Sequence, residues 1–253
     1  MLIVARVINV FSGKGGVGKT TLSINIGWIL AEIFNKEVTI VDCNITTSHL
    51  GLYLGIFYSP VTLNKILRGE AEIDEAIHIY SKSLKIIPAS NSISDLIGVD
   101  ILSLSEVISK LRERSEIIIL DSSPGLGREA LGSLKFSDEV IFVTQPYIAS
   151  VMDIVRSYET IKDTGIKPLG IVLNMVFNDR FEMSEKEIEQ LTELPVIAKI
   201  PFDKDMRRST YLTVPLASLK RNSKAIKEIL KLSYYIMGEK YEEKGVLKKL
   251  REK

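Results

Sequence analysis

The chain predicts an α/β fold: a mostly parallel, twisted sheet of about seven to eight strands with helices on both faces. Three observations carry this. Apolar runs of strand length alternate with helix-period stretches along most of the 253 residues. The strand runs are apolar almost throughout, as suits parallel strands covered on both faces. The first strand passes into a helix through a glycine-rich loop, SGKGGVGKTT, whose residues 13–20 fit G-x-x-x-x-G-K-[ST].

The elements follow in order. VARVINVF (4–11) is the first strand, and Leu22, Ile26, Ile29 and Ile33 form an i, i+4, i+7, i+11 stripe that lays one face of the next helix on the sheet. Trp28 beside this stripe reads as packing. Further strands are VTIVD (38–42), LKIIP (84–88), EIIILD (116–121), EVIFVT (139–144), LGIVLN (169–174) and VIAKIP (196–201). The helical stretches between them supply right-handed crossovers. Residues 62–80 read as two short helices broken at Gly69. His78, between isoleucines, reads as a packed or edge histidine, His49 stands alone, and neither is given a role. A final helix, capped by Asn222 or Ser223, carries Ile226, Ile229, Leu230, Tyr234 and Ile236–Met237 and stops at Gly238. Residues 239–253 change composition, so the expected division is a domain over 1–238 and a basic tail over 239–253.

Composition narrows the function. A formal net charge of +1 gives no strong global attraction to nucleic acid or acidic surfaces, so any such contact needs a local patch. The single cysteine, Cys43, makes no internal disulfide and no thiolate metal site, which fits a reducing cytosol. The opening apolar run is too short to span a bilayer and lacks a small-residue cleavage site. The expected location is the cytoplasm.

The chemistry starts at the loop. Glycines let backbone N–H groups turn inward toward phosphate oxygens at a helix N-terminus, Lys19 reaches the β- and γ-phosphates, and the Thr20 hydroxyl can sit on Mg²⁺. Gly13, Lys14, Gly15, Gly16, Val17, Gly18, Lys19, Thr20 and Thr21 are the candidate phosphate-binding residues. The second lysine, Lys14, makes GKGGVGKT resemble the deviant Walker A box of the MinD/ParA group of P-loop ATPases. That resemblance implies a P-loop NTPase fold, ATP and Mg²⁺ as ligands, and an ATP-dependent homodimer in which Lys14 reaches the partner's nucleotide. An ordinary P-loop with Lys14 as a solvated charge is the other reading.

Two further segments fit the same group. EIIILD ends on Asp121 and continues SSPG, similar to the group's switch II, D-x-P-x-G, with the proline shifted by one residue. Asp121 is then a Mg²⁺ ligand and the Gly125 amide a γ-phosphate sensor; a strand-end aspartate capping its turn is the plainer alternative. VDCNITTSHLGLYLG resembles switch I, where a D-x-D pair follows the second strand. Asp42 matches the first aspartate, near the Mg²⁺ shell. The second, which positions the attacking water, is Asn44 here. An asparagine can orient a water but not take its proton, so slow hydrolysis and a long-lived ATP state are expected, unless Asn44 only caps its turn. Lys14, Lys19 and Asn44 are the catalytic candidates.

Base contacts are implied at Asn174, at the end of LGIVLN, and at Pro201 and Asp203 in VIAKIPFDKD. The resemblance covers roughly residues 1–237 and is closest to MinD-like ATPases. It implies a spatial switch that engages a protein partner of a division, chemosensory or appendage-positioning system. A weakly amphipathic segment, residues 244–253, could hold an anionic membrane surface at the inner face of the cell membrane, with Val246, Leu247 and Leu250 among basic residues. Equally, it could fray or dock on a protein. A ParA-type role on DNA, through the loose basic run Arg207, Arg208, Lys220, Arg221, Lys224 and Lys227, is less favoured. A ligase or amidotransferase of the same superfamily is a second alternative.

Overall fold

The structure, a computed structural model, describes residues 5–242. Val4, at the start of the predicted first strand, and the basic segment 244–253 lie outside the described residues.

The chain lays down β1 (Arg6–Phe11), α1 (Lys19–Glu32) and β2 (Val38–Cys43), then the short helices α2 (Leu50–Tyr53), α3 (Leu63–Leu67) and α4 (Ile73–Ala76). The strands β3 (His78–Ile79) and β4 (Leu84–Ile87) follow, then α5 (Leu104–Arg112), β5 (Ile117–Ser122) and α6 (Arg128–Lys135). Next come β6 (Glu139–Thr144), α7 (Ile148–Ile161), β7 (Lys167–Val176), α8 (Glu185–Thr192) and β8 (Val196–Pro201). The described chain closes with α9 (Lys204–Tyr211), α10 (Leu216–Leu219) and α11 (Lys224–Met237). One eight-stranded sheet runs β3-β4-β2-β5-β1-β6-β7-β8, parallel except for the β3–β4 pair.

Every predicted strand is present, with ends moved by a residue or two; 169–174 lengthens to Lys167–Val176. The stretch 62–80 needs a correction. It gives the two short helices, but its last residues form an antiparallel edge strand, with His78 opposite Ile86 and Ile79 opposite Lys85. Two residues carry no readable period, and the free edge of β4 supplied the backbone partners that decided their conformation. His78 does lie at the edge, its Nε2 2.7 Å from Ser59 Oγ.

Alternation along β1 assigns the layers. Ile8 and Val10 join the core beneath α1 and α11, while Val7 and Phe11 face the opposite layer of α5, α6, α7 and α8. The helix α1 was expected to bury one face and instead is buried nearly all round, because α10 and α11 cover its outer side. It also lies close on the sheet: a Cβ on Gly27 would meet Ile40 Cδ1 at 2.6 Å. Each fully buried Leu or Ile here contributes about 1.5–3 kcal/mol of transfer free energy, so the covered outer face adds materially to stability. Trp28 is buried against this layer, with the Arg221 guanidinium 5.4 Å above its ring.

Ser223, not Asn222, caps α11, its Oγ accepting from Ile226 N at 3.0 Å; Gly238 ends the helix at φ 68°. Tyr241 still packs edge-on against Tyr234, with centroids 5.4 Å apart, so core contacts run past the predicted boundary at 238. Among the described residues no helix is long and apolar enough to cross a membrane. The register sets Asp42 beside Asp121, and Asp121 beside Val10, at the carboxyl ends of β2, β5 and β1, where open α/β sheets bind ligands.

Candidate functional site

The loop between β1 and α1 forms one wall of a cleft at these strand ends. Three of its glycines are required for three different reasons. Gly13 is forced by space: a Cβ there would lie 2.4 Å from Asp153 Cβ and 3.0 Å from that residue's backbone on α7. Gly16 is forced by backbone alone, at φ 79° with open space around it. Gly18 is forced by both, at φ 91° with a Cβ position 2.4 Å from Asn174 Nδ2. Gly18 also stands at the N-terminus of α1, where unpaired N–H groups and the helix dipole favour an anion.

The two lysines of the loop part company. Lys19 is buried; its Nζ donates to Ser12 Oγ at 2.8 Å, and that hydroxyl donates to Lys14 O at 2.7 Å. Burial lowers the Lys19 pKa, opposed by the nearby Asp121 charge. Lys14 is exposed, next to Gly15, which lines the cleft.

Asp42 and Asp121 form the floor, side by side and fully buried. Burial, then the Asp121 charge, push the Asp42 carboxyl up to about 7. Burial also raises Asp121, against the pull of hydrogen bonds from Thr20 and Ser23 and of the Lys19 charge. Asp121 Oδ2 is buried without a hydrogen-bond partner among the described residues. An unsatisfied carboxylate oxygen in a doubly acidic floor, with the Thr20 hydroxyl beside it, suits a divalent cation. Mg²⁺ needs only one or two protein ligands beside waters and phosphate oxygens, so no three-ligand cluster is required, and none occurs among the described residues. Asp42 also braces its own loop. Its Oδ1 accepts from Asn44 N at 3.1 Å, and its Oδ2 from Ser48 Oγ at 2.6 Å and Leu50 N at 3.3 Å. It shapes the loop after β2, and its Oδ1, with one hydrogen bond, keeps an acceptor position.

The opposite wall comes from that loop and the one after β5. Asn44 lines the cleft, its Nδ2 donating to Thr47 O at 2.6 Å and its Oδ1 accepting from Thr47 Oγ1 at 3.1 Å. Asn44 thus braces its own turn from a position on the cleft wall. Ser123 Oγ contacts Glu129 Oε2 at 2.6 Å and Asn44 Oδ1 at 3.3 Å, and Thr46 Oγ1 donates to Glu129 Oε1. Gly125 corrects another expectation: its N–H donates to Ser12 O at 3.0 Å and is committed to the P-loop backbone.

A second, more apolar pocket opens beyond Gly18 and Thr21, walled by Asn174, Pro201, Phe202 and Met206. Gly18, Thr21 and Met175 line both hollows, so the pockets adjoin. Asn174 Nδ2 donates to Val17 O at 2.7 Å, which makes this side chain a strut for the P-loop. Asp203 lines the pocket while its Oδ1 caps α9 through Asp205 N at 2.9 Å. Phe202 stacks on Phe177, with centroids 5.0 Å apart, at the pocket rim.

A family model described as ParA, NUBPL iron-transfer P-loop NTPase, matches residues 3–237. The chain belongs to the ParA family of P-loop NTPases. An uncharacterized ATP-binding protein of Methanocaldococcus jannaschii is 34% identical over 250 residues, 99% of this chain and 94% of its own. The cell division ATPase MinD of Pyrococcus furiosus superposes with a TM-score of 0.88 at 30% identity, covering 92% of this chain and 99% of that one. MinD of Pyrococcus horikoshii, in complex with Mg-ADP, superposes with a TM-score of 0.87 at 30% identity, covering 92% and 96%. The ParA-family match spans the predicted fold almost residue for residue.

Within this ParA-family site, sequence reasoning missed Ser12 and Ser23, which flank the loop, and Glu129 and Asp153, which come from α6 and α7. His49 and Tyr53 also line the cleft, although the histidine had been given no role. For the apolar pocket, Phe202 and Met206 could have been found from their closeness to Pro201 and Asp203.

Proposed function

We propose that this chain is a MinD-like ATPase working as a nucleotide-gated switch. It binds Mg-ATP, pairs with a second copy across the nucleotide, engages a partner, and is reset by hydrolysis. The carrying observation is the difference between the two loop lysines: Lys19 is buried and lines the cleft, whereas Lys14, beside the cleft-lining Gly15, is exposed. In this reading the first serves the chain's own phosphates and the second, free of that task, serves a neighbour's.

In this reading the P-loop N–H groups hold the β- and γ-phosphates, and Thr20 and Asp121 hold Mg²⁺. Bound Mg²⁺ neutralises phosphate charge. Lys19 leaves Ser12 for the phosphates, and the apolar pocket between Pro201, Phe202 and Met206 takes the base. Asn44 orients the attacking water without accepting its proton. Phosphoryl transfer relies mainly on positioning and charge stabilisation, so turnover survives at a slow rate.

A DNA-binding role draws less support. Lys220 is paired with Asp205, Arg221 lies over Trp28, and Arg207 lines the apolar pocket, which breaks up the basic run. Cargo and membrane attachment stay with the family-level expectation, since the tail 244–253 lies outside the described residues.

The test is size-exclusion chromatography with light scattering in ATP and in ADP. The native chain is expected to dimerise in ATP alone, and Lys14→Ala to remain monomeric while still binding nucleotide. A Lys14→Ala dimer of undiminished stability would refute this reading.

A further inference from the structure

Sequence patterning assigns His49 no role, but the structure fixes its place in the cleft. Its neighbours on both sides are tied to the buried Asp42 carboxylate: Ser48 Oγ donates to Oδ2 at 2.6 Å, and Leu50 N to the same oxygen at 3.3 Å. Leu50 is fully buried, and Tyr53 N donates to His49 O at 3.0 Å, so α2 starts from the histidine's own carbonyl. The imidazole lies 5.9 Å from the Tyr53 ring, tilted by 32°. The residue is exposed, and among the described residues neither ring nitrogen has a hydrogen-bond partner.

The surroundings decide what such a ring can bind. His49 and Tyr53 line the hollow of about 370 Å³ that Gly15, Gly16 and Lys19 line from the P-loop side. The base pocket shares Gly18, Thr21 and Met175 with this hollow but does not include His49. The histidine therefore belongs to the phosphate part of the cleft alone. Burial raises the Asp121 carboxyl, and the His49 charge is among the influences that draw it back down, which puts the ring near the floor. Asp121 and Thr20 are the residues suited to Mg²⁺, and in P-loop NTPases that ion bridges the β- and γ-phosphates. A ring near that point meets the end of the phosphate chain farthest from the base. Imidazole keeps an N–H donor whether neutral or charged, and a donor on a phosphate oxygen makes one of the stronger, charge-assisted hydrogen bonds.

We propose that His49 binds the γ-phosphate of ATP from the wall facing the P-loop, and so lets the loop after β2 tell ATP from ADP. This rests on the ATPase reading above. The P-loop grips the phosphates that both nucleotides have, whereas His49 gains its partner only with the third. Asp42 acts through it: a carboxylate that fixes Ser48 and Leu50 fixes the attachment of the ring between them.

Equilibrium titration with Mg-ADP, and with the Mg complex of an ATP analogue whose β,γ-bridge is an uncleavable NH, tests this on native protein and His49→Ala. The protein is kept at concentrations where light scattering shows a monomer, so that pairing does not enter the affinity. His49→Ala is expected to weaken the triphosphate about tenfold, at the lower end of what one hydrogen bond to a charged group contributes, and to leave ADP affinity unchanged. The ring nitrogens give a second readout, which a structural role would not move and which needs no variant to fold. In native protein labelled with ¹⁵N-histidine, the His49 resonances are expected to shift with the triphosphate and stay in place with ADP. His78, held at Ser59, is the control. Equal losses of both nucleotides, no loss of either, or His49 resonances that respond alike to both overturn the proposal and leave the ATPase reading intact. A native protein that binds neither nucleotide overturns both.

Discussion

On one side of the phosphate cleft, residues 13–20 form the wall from a single uninterrupted loop, and glycine geometry sets its shape. On the other, the contact between Asn44 and Ser123 joins residues 79 apart in sequence, with Glu129 brought in from the next helix. The first wall acts through backbone N–H groups, which only a proline removes but any Cβ can misplace. The second acts through side-chain oxygens, which a substitution removes or reverses without moving the chain. Damage to the loop should therefore cost binding and stability together, whereas damage to these oxygens should cost rate.

The largest effect should come from Gly18→Ala. Positive φ and a collision with Asn174, whose amide already braces Val17, should together cost about 3 kcal/mol of stability or more. ATP binding should be lost. Gly16→Ala, with open space around it, should cost only the backbone term, about 1–2 kcal/mol. Urea unfolding and nucleotide titration measure both, and equal losses at the two positions would break the distinction drawn here between space and backbone.

Asn44→Asp should speed single-turnover hydrolysis about tenfold, less than the roughly 100-fold or more usual for a positioned base because phosphoryl transfer relies mainly on positioning, with little change in ATP affinity. A variant that is unchanged or slower would show that Asn44 does not limit the reaction.

The smallest effect concerns the floor shared by both walls. The folded chain holds the Asp42 proton up to about 7, against an ordinary value of 3.8. The folded state thus binds more protons than the unfolded one between these values. Stability without metal or nucleotide should fall as pH rises through that window and level off above it. Asp42→Asn should flatten the fall, by on the order of 1 kcal/mol between about pH 5 and pH 8. Unfolding midpoints at both pH values, with the same slope in native and variant, would exclude Asp42 as the source.

Much of the fold was legible because its signals are local. Parallel strands buried on both faces read as apolar runs, and each predicted run became a strand. The edge strand β3 was not legible, because His78 and Ile79 take their conformation from β4 and not from their own neighbours. Likewise the stripe on α1 showed an inward face, but nothing local shows that α11, about two hundred residues later, covers the outward one.

The site divides along the same line. Lys19, Thr20 and Asp121 were readable from loop chemistry and a strand end, while Lys14, Asp42, Asn174, Pro201 and Asp203 were implied by the family resemblance; Lys19 and Thr20 line the cleft, and Asn174, Pro201 and Asp203 its adjoining pocket. What several of them do there was not readable. Gly125 N–H is spent on Ser12 O, Asn174 Nδ2 on Val17 O, and both Asp42 oxygens brace its own loop.

The sequence by itself determined the strand–loop–helix at residues 13–20 and the order of the strand-end carboxylates, because backbone turns and burial periods are written in adjacent residues. Only the tertiary structure decided which oxygen accepts which proton. That depends on Asn44, after β2, and Glu129, on α6, each arriving within 3.3 Å of Ser123, after β5, a distance no spacing along the chain encodes.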